Sequence, residues 1–409
     1  MKFLNASYLL VCDEKFTIIK NGAICFDKTI KFIGTLDECK KQYPNETIEY
    51  LGDNSVLMPG FINPHIHLEF SANKTTLEYG DFVKWLFSVI EHRENLINSA
   101  TKELIDNELK KLVKSGTTTI GAISSYGFDM TSCIDTPLNV VYFTEVLGSK
   151  PDMIDTIFTD FKAKLDESIK NESDNFIPAV AIHSPYSTHP FLIREVLKIA
   201  KEKDLPVSTH FLESDAEKDW LETSKGDFEP FFHNLLNQTK SLTKPLDFLE
   251  QFNGIKNLSF THCVKANGSE LTKIKSLDGS IIHCPTSNRV LTNSALDLTK
   301  LENINVAIGT DGLSSNNSLS MFDELHKALM IHTNININEL AIKLLVASTN
   351  GGAKTLGLKK GILKENFDAD LIFFTLPQST NEKSLAQSII LHTKNVDKIF
   401  IGGIDESDI

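Results

Sequence analysis

Arginine is nearly absent from this chain: only Arg93, Arg194 and Arg289 occur in 409 residues, although lysine is plentiful. Basic excess is absent too, with 54 acidic side chains against 41 basic ones and a net charge of −13. A phosphate-gripping surface needs clustered Lys and Arg, so no nucleic-acid partner is expected. The six cysteines, at 12, 25, 39, 133, 263 and 284, show no CxxC spacing and are too sparse for a disulfide scaffold. They read as reduced thiols serving as small core residues. No apolar run approaches the ~20 residues that cross a bilayer. The opening MKFLNASYLLVCDEKF is broken by Asn5, Ser7 and Tyr8 and turns acidic at Asp13, unlike a secretory signal. An acidic cytoplasmic enzyme with no membrane partner is expected.

What is present is a rhythm. Residues 1–57 are short β-type runs, among them FTIIKNGAICF, whose Asn21-Gly22 pair reads as a hairpin turn. Beyond residue 59, apolar strands alternate with helical patterns such as TKELIDNELKKLVKSG and FLIREVLKIAKEKD. Eight buried-strand candidates follow in order: LMPGFINPHIHL, GTTTIGAISS, NVVYFTEVLG, FIPAVAIHSP, PVSTHFLES, NLSFTHCVKA, GSIIHCPTS and INVAIGTDG. Eight parallel strands with intervening helices specify a (β/α)8 TIM barrel, here over 58–355. The β-type ends, 1–57 and 356–409, are expected to join as a small discontinuous β-sandwich domain. There is no other repeat and no low-complexity segment.

The polar tails of the strand candidates carry the chemistry. His65 and His67 end the first, His183 the fourth, His210 and Glu213 the fifth, His262 the sixth, His283 the seventh and Asp311 the eighth. Positions i and i+2 of a strand share a face, so His65 and His67 point the same way. Barrel active sites lie at the carboxyl ends of the strands. Half of the chain's 12 histidines gather there. Three imidazoles with one carboxylate suit one divalent metal, Zn²⁺ first and Fe²⁺ with the same ligand types, leaving a place for water. Activated water becomes a nucleophile near neutral pH, and neighbouring carboxylates and histidines can move the protons.

GFINPHIHL, HFLES, THC, HCPTSNRVL, GTDGLSSNNSLSMFDEL and ASTNGGAKTLGL with GILKENFDADLIFF resemble, in order and over nearly the whole chain, the amidohydrolase superfamily. The branch is that of nucleobase and nucleoside deaminases and triazine chlorohydrolases. The resemblance implies metal ligands His65, His67, His210 and Asp311, with Glu213 donating a proton to the substrate's ring nitrogen. It further implies that His262 orients the attacking water, that Asp311 takes the water's proton, and that His183 contacts the substrate. His283, in HCPTSN, reads as a structural or hydrogen-bonding residue more readily than as a ligand, since buried polar groups are normally satisfied by such partners. Binuclear members carry a carboxylated lysine on strand four, where FIPAVAIHSP has none, so one metal is expected.

The Glu213 and His262 pair favours deamination, because ammonia leaves poorly without protonation. YGDFVKWLFSVIEHREN resembles a lid helix of the branch, with Trp85 and Phe87 as candidate pocket residues. Given the scarcity of arginine, Arg93 on that segment and Arg289 after HCPTSN are candidates to clamp a substrate carboxylate. The expected activity is removal of the 6-amino group of an adenine-type nucleoside, preferably one with a carboxylate on its far end. Alternatives are a deaminase of S-adenosylhomocysteine, methylthioadenosine or adenosine, with the same chemistry and a different tail pocket, and, remotely, a non-catalytic scaffold. The enzyme reading is compatible with a homo-oligomer.

Overall fold

The computed structural model describes residues 1–408. The expected barrel is present. Its strands are Phe61–Ile66, Thr117–Ser124, Asn139–Val146, Phe176–Ile182, Val207–Phe211, Leu258–His262, Ser280–His283 and Val306–Ile308, each hydrogen-bonded parallel to the next. Strands covered on both faces run as continuous apolar stretches, and every residue of Asn139–Val146 is buried. The last strand meets the first through Asp311 N–H donating to the His65 carbonyl (3.1 Å) and Asn63 Nδ2 donating to Thr310 Oγ1 (2.7 Å). These closing bonds set His65 and Asp311 side by side.

The intervening helices follow their sequence signals. Thr101 caps Lys102–Lys114, its side chain accepting from Leu104 N, with Glu103 in the first turn and Lys111 and Lys114 in the last, matching the helix dipole. The helix buries Ile105, Leu109, Leu112 and Val113, one stripe facing the barrel. Replacing Thr101 by Ala would cost about 1 kcal/mol through the lost cap. Aromatic packing dominates outside the fifth and sixth strands, where Trp220 lies flat on Phe232 at 4.2 Å and Phe211 stacks on Phe248. That layer fixes the helices Asp215–Thr223 and Glu229–Leu236 beside the barrel mouth.

Both termini build one small domain. Its strands form a single mixed sheet in the order Ile404–Asp405, Lys398–Ile401, Leu371–Thr375, Ser55–Pro59, Lys2–Leu10, Ile18–Phe26, Ile30–Thr35, with Glu49–Tyr50 parallel to Lys2–Leu10. The sheet curls until Phe26 meets Phe400 edge-on at 5.2 Å, so its two halves enclose an apolar layer as a sandwich does. The Asn21-Gly22 pair is not a turn: Ile18–Phe26 runs straight through it. A Cβ on Gly22 would lie 2.6 Å from Leu9 Cβ, so glycine is there for close packing against the neighbouring strand. The chain reverses earlier, near Asp13, whose carboxylate accepts from Thr17 N–H and Oγ1. The ASTNGG run is likewise scaffold: Ala347–Gly351 is one π-helical turn, and a Cβ on Gly351 would sit 2.3 Å from the Val306 carbonyl.

Candidate active site

The strand-end residues converge at the carboxyl face of the barrel. His67 Nε2 lies 3.2 Å from His65 Nε2 and 3.4 Å from His210 Nε2. Asp311 Oδ1 stands 3.7 Å from His65 Nε2 and 3.5 Å from His67 Nε2. The opposite ring nitrogen of His210 donates to the His183 carbonyl at 2.7 Å, which leaves its Nε2 with a lone pair. His65 Nδ1 is 3.2 Å from Thr261 Oγ1. Burial holds His65 well below the usual imidazole range, with His210 and His67 adding to it, and takes His67 down to about 3. Neutral rings turning lone pairs onto one another at these distances repel unless they share a cation. These donors, three nitrogens and one carboxylate oxygen, fit a single Zn²⁺ or Fe²⁺.

Burial opposes ionisation of Asp311, but the surrounding imidazoles of His67, His65, His262 and His210 overcome it and hold the carboxyl well below the usual range. Three hydrogen bonds support the charged form: Oδ2 accepts from Ser287 Oγ (2.7 Å) and Ser315 Oγ (2.8 Å), and Oδ1 from Gly312 N–H (2.9 Å). Glu213 goes the other way. Burial, with Asp311 and Glu217 nearby, raises its carboxyl well above the usual range. That shift favours its acid form, and its Oε2 lies 3.6 Å from His262 Nε2.

His262 sits at φ 72, Asp311 at φ 60 and Leu212, just before Glu213, at φ 47. Such left-handed residues cost on the order of 1–3 kcal/mol each. Local bonds hold them, since Glu217 accepts from Leu212 N–H (3.1 Å) and Glu213 N–H (2.8 Å). Behind His262, Nδ1 donates to Asn288 Oδ1 at 2.8 Å, and Asn288 Nδ2 donates to His283 Nδ1 at 3.2 Å. His283 Nε2 then meets His332 Nε2 at 2.9 Å. His283 is thus the middle of a chain that fixes the His262 ring, and it lies apart from the converging ligand atoms.

These groups floor a cavity of about 370 Å³. Its outer walls are apolar, with Trp85, Leu86 and Phe231 among them, and Trp85 Nε1 donates to the Ser314 carbonyl at 2.9 Å. Phe87 does not reach it; that ring is 40% exposed and packs edge-on against Phe231. Arg93 lines the mouth beside the Tyr126 phenol. Arg289, expected at the substrate carboxylate, does not face the cavity: the helix Pro285–Thr292 turns it outward, where it is exposed and bonds Asn293. His183 is on the wall, its Nδ1 2.6 Å from Ser187 Oγ.

The sequence reading passed over Glu145, Glu217 and Asn288. Glu145 had a signal, being the carboxylate in the polar tail of NVVYFTEVLG just as His183 is the imidazole in the tail of FIPAVAIHSP.

The amidohydrolase family model matches residues 56–404, spanning the barrel and the returning strands of the terminal sheet. The chain belongs to the amidohydrolase family. It is 46% identical to an aminodeoxyfutalosine deaminase of Nitratiruptor over 95% of either chain. It is also 37% identical to an adenosine deaminase of Helicobacter pylori over 98% of either chain. The crystal structure of Helicobacter pylori aminofutalosine deaminase in complex with methylthio-coformycin superposes with a TM-score of 0.94 and 35% identity, over 99% of this chain and all of that one. Among the described residues no helix is long and apolar enough to cross a membrane.

Proposed function

We propose that this protein is a mononuclear metal-dependent deaminase that converts aminodeoxyfutalosine, an adenine-type nucleoside with a carboxylate on its tail, to futalosine and ammonia, a step toward menaquinone. The observation that carries this reading is the meeting of Glu213, His262 and Asp311, whose polar atoms lie within 4.8 Å of one another beside His65, His67 and His210. A protonated acid, a neutral imidazole and an ionised carboxylate around one point are what addition of water to an amidine carbon requires.

His65, His67, His210 and Asp311 would hold the ion, with Zn²⁺ favoured on ligand type. When bound, the ion supplies Lewis-acid activation of water. Glu213 Oε2 gives its proton to the ring nitrogen adjacent to the aminated carbon, drawing electrons from that carbon. His262, its proton kept on Nδ1 by Asn288, presents Nε2 as an acceptor that aligns the incoming water. Asp311 receives the water's proton and passes it to the amino group. The carbon–nitrogen bond then breaks, ammonia leaves, and the added hydroxyl returns its proton to Glu213, which leaves a ring carbonyl and restores the acid. His183 and Trp85 contact the nucleoside, while Arg93 meets the carboxylate of its tail beyond the apolar wall.

The adenosine deaminase relative supports a second reading, in which the tail carboxylate is not required. Ammonia release from aminodeoxyfutalosine and adenosine by metal-quantified protein separates the two. Preference for aminodeoxyfutalosine, with Arg93→Ala raising KM for it about tenfold or more and leaving adenosine unchanged, is expected from loss of one charged contact. Equal or better use of adenosine by the unaltered protein would replace the first reading with the second.

A further inference from the structure

We propose that Glu145 forms a sugar-hydroxyl subsite with His183, its carboxylate accepting the vicinal hydroxyls of the substrate's ribose. This rests on the nucleoside reading above and adds to it the residue that distinguishes a riboside from its deoxy analogues. Glu145 is 5% exposed and lines the cavity at the end of the third barrel strand. One carboxylate oxygen accepts from Ser125 Oγ, while the other, Oε1, has no hydrogen-bond partner. A buried carboxylate oxygen left unpaired is costly unless a ligand completes it.

The anchoring is rigid. Glu69 accepts from the backbone N–H groups of Ser125, Tyr126 and Gly127, pinning the turn that carries Ser125. A Glu145 oxygen lies within 4.8 Å of ring nitrogens of His183 and His210. A separate cation there is disfavoured by the donors. His210 uses Nδ1 on the His183 carbonyl and turns Nε2 toward His67. Glu145 and His183 alone remain, fewer than the three protein ligands a catalytic metal takes.

The chemistry of the ligand then follows. In an N9-linked adenine nucleoside the donors are the 6-amino group, which must lie at Glu213 and Asp311, and the hydroxyls of the sugar. With the amino group taken up there, the donors left for an unpaired acceptor on the wall beside His183 are those hydroxyls. His183, whose Nδ1 is engaged by Ser187, shows no partner at Nε2 among the described residues and faces the same space.

The test compares kcat/KM for adenosine and 2′,3′-dideoxyadenosine in the unaltered holoenzyme, Glu145→Gln and Glu145→Ala. A site built on hydrogen bonds to hydroxyls rejects the analogue lacking them, here by about 100-fold or more. Glu145→Ala should abolish that preference, and Glu145→Gln, which keeps one carbonyl acceptor, should retain part of it. A folding or metal-loading defect lowers both substrates together and leaves the ratio intact. No preference in the unaltered enzyme, or full preference surviving in Glu145→Ala, overturns the subsite. Should Glu145→Ala not fold, the unaltered ratio and Glu145→Gln decide. If the holoenzyme deaminates the riboside with its ratio unmoved by both variants, the subsite alone fails; if it deaminates no adenine nucleoside, the nucleoside reading fails and the subsite with it.

Discussion

Two pairs of histidines in this molecule bring Nε2 atoms almost equally close: His65 and His67 at 3.2 Å, His283 and His332 at 2.9 Å. His65, His283 and His332 are buried and His67 is partly so, and burial keeps all four below the usual imidazole range. What differs is the far side of each pair. Around His65 and His67 stand His210 and the ionised Asp311, and the cluster opens on a cavity. Asn288 donates to His283 Nδ1, which leaves the His283 proton on Nε2 to bridge to His332. Proximity of imidazoles therefore does not define a metal site. The tautomer imposed by the outer nitrogen and the presence of a carboxylate do.

Removing His67 should have the largest effect. His67→Ala is expected to lose the metal and activity together, by more than about 1,000-fold, as metal analysis and ammonia release would show. Glu213→Gln keeps the ligand set but not the transferable proton, so full metal content with kcat lowered about 100- to 10,000-fold is expected. Asn288→Ala leaves the ligands intact and frees the His262 ring. Loss of about 10- to 100-fold in kcat with unchanged metal content is the expected signature of a residue acting through another. Smallest is His332→Gln, expected to leave metal and turnover unchanged and to cost about 1 kcal/mol in thermal unfolding, the worth of one buried hydrogen bond.

The same burial sets a pH dependence. His183 and His262 fall to about 4 and His67 to about 3 in the folded chain, all through burial, against a usual 6.5. The unfolded chain takes up protons first as pH drops, so these groups support the fold above about 6.5 and that support is lost as pH falls through their folded values. Metal-stripped protein should melt at progressively lower temperature from pH 6.5 toward 4, by calorimetry. Glu213 runs in the opposite sense for catalysis. Its acid form persists to higher pH than that of an ordinary carboxyl, and turnover should decline as pH rises through its raised value.

The barrel was legible because its strands, covered on both faces, are written as unbroken apolar runs, and because strand ends that carry His or Asp stand out against them. Asn21-Gly22 misled because local turn chemistry was overridden by close packing against Leu9. Arg289 misled for a different reason. Scarcity marked it, yet which way a side chain leaves a helix depends on how that helix docks, and here Pro285–Thr292 buries Ser287 and Asn288 and turns Arg289 out. Asn288 carried no signal, since an amide next to a histidine motif looks like any turn residue until its partners are placed.

One ion, held by His65, His67, His210 and Asp311, is proposed to drive deamination. Metal-stripped protein titrated with Zn²⁺ while ammonia release from aminodeoxyfutalosine is followed tests it most directly. Activity should rise linearly and level off at one equivalent per chain, with His67→Ala flat throughout. Turnover by the metal-free protein, or a plateau reached only at two equivalents, would contradict it.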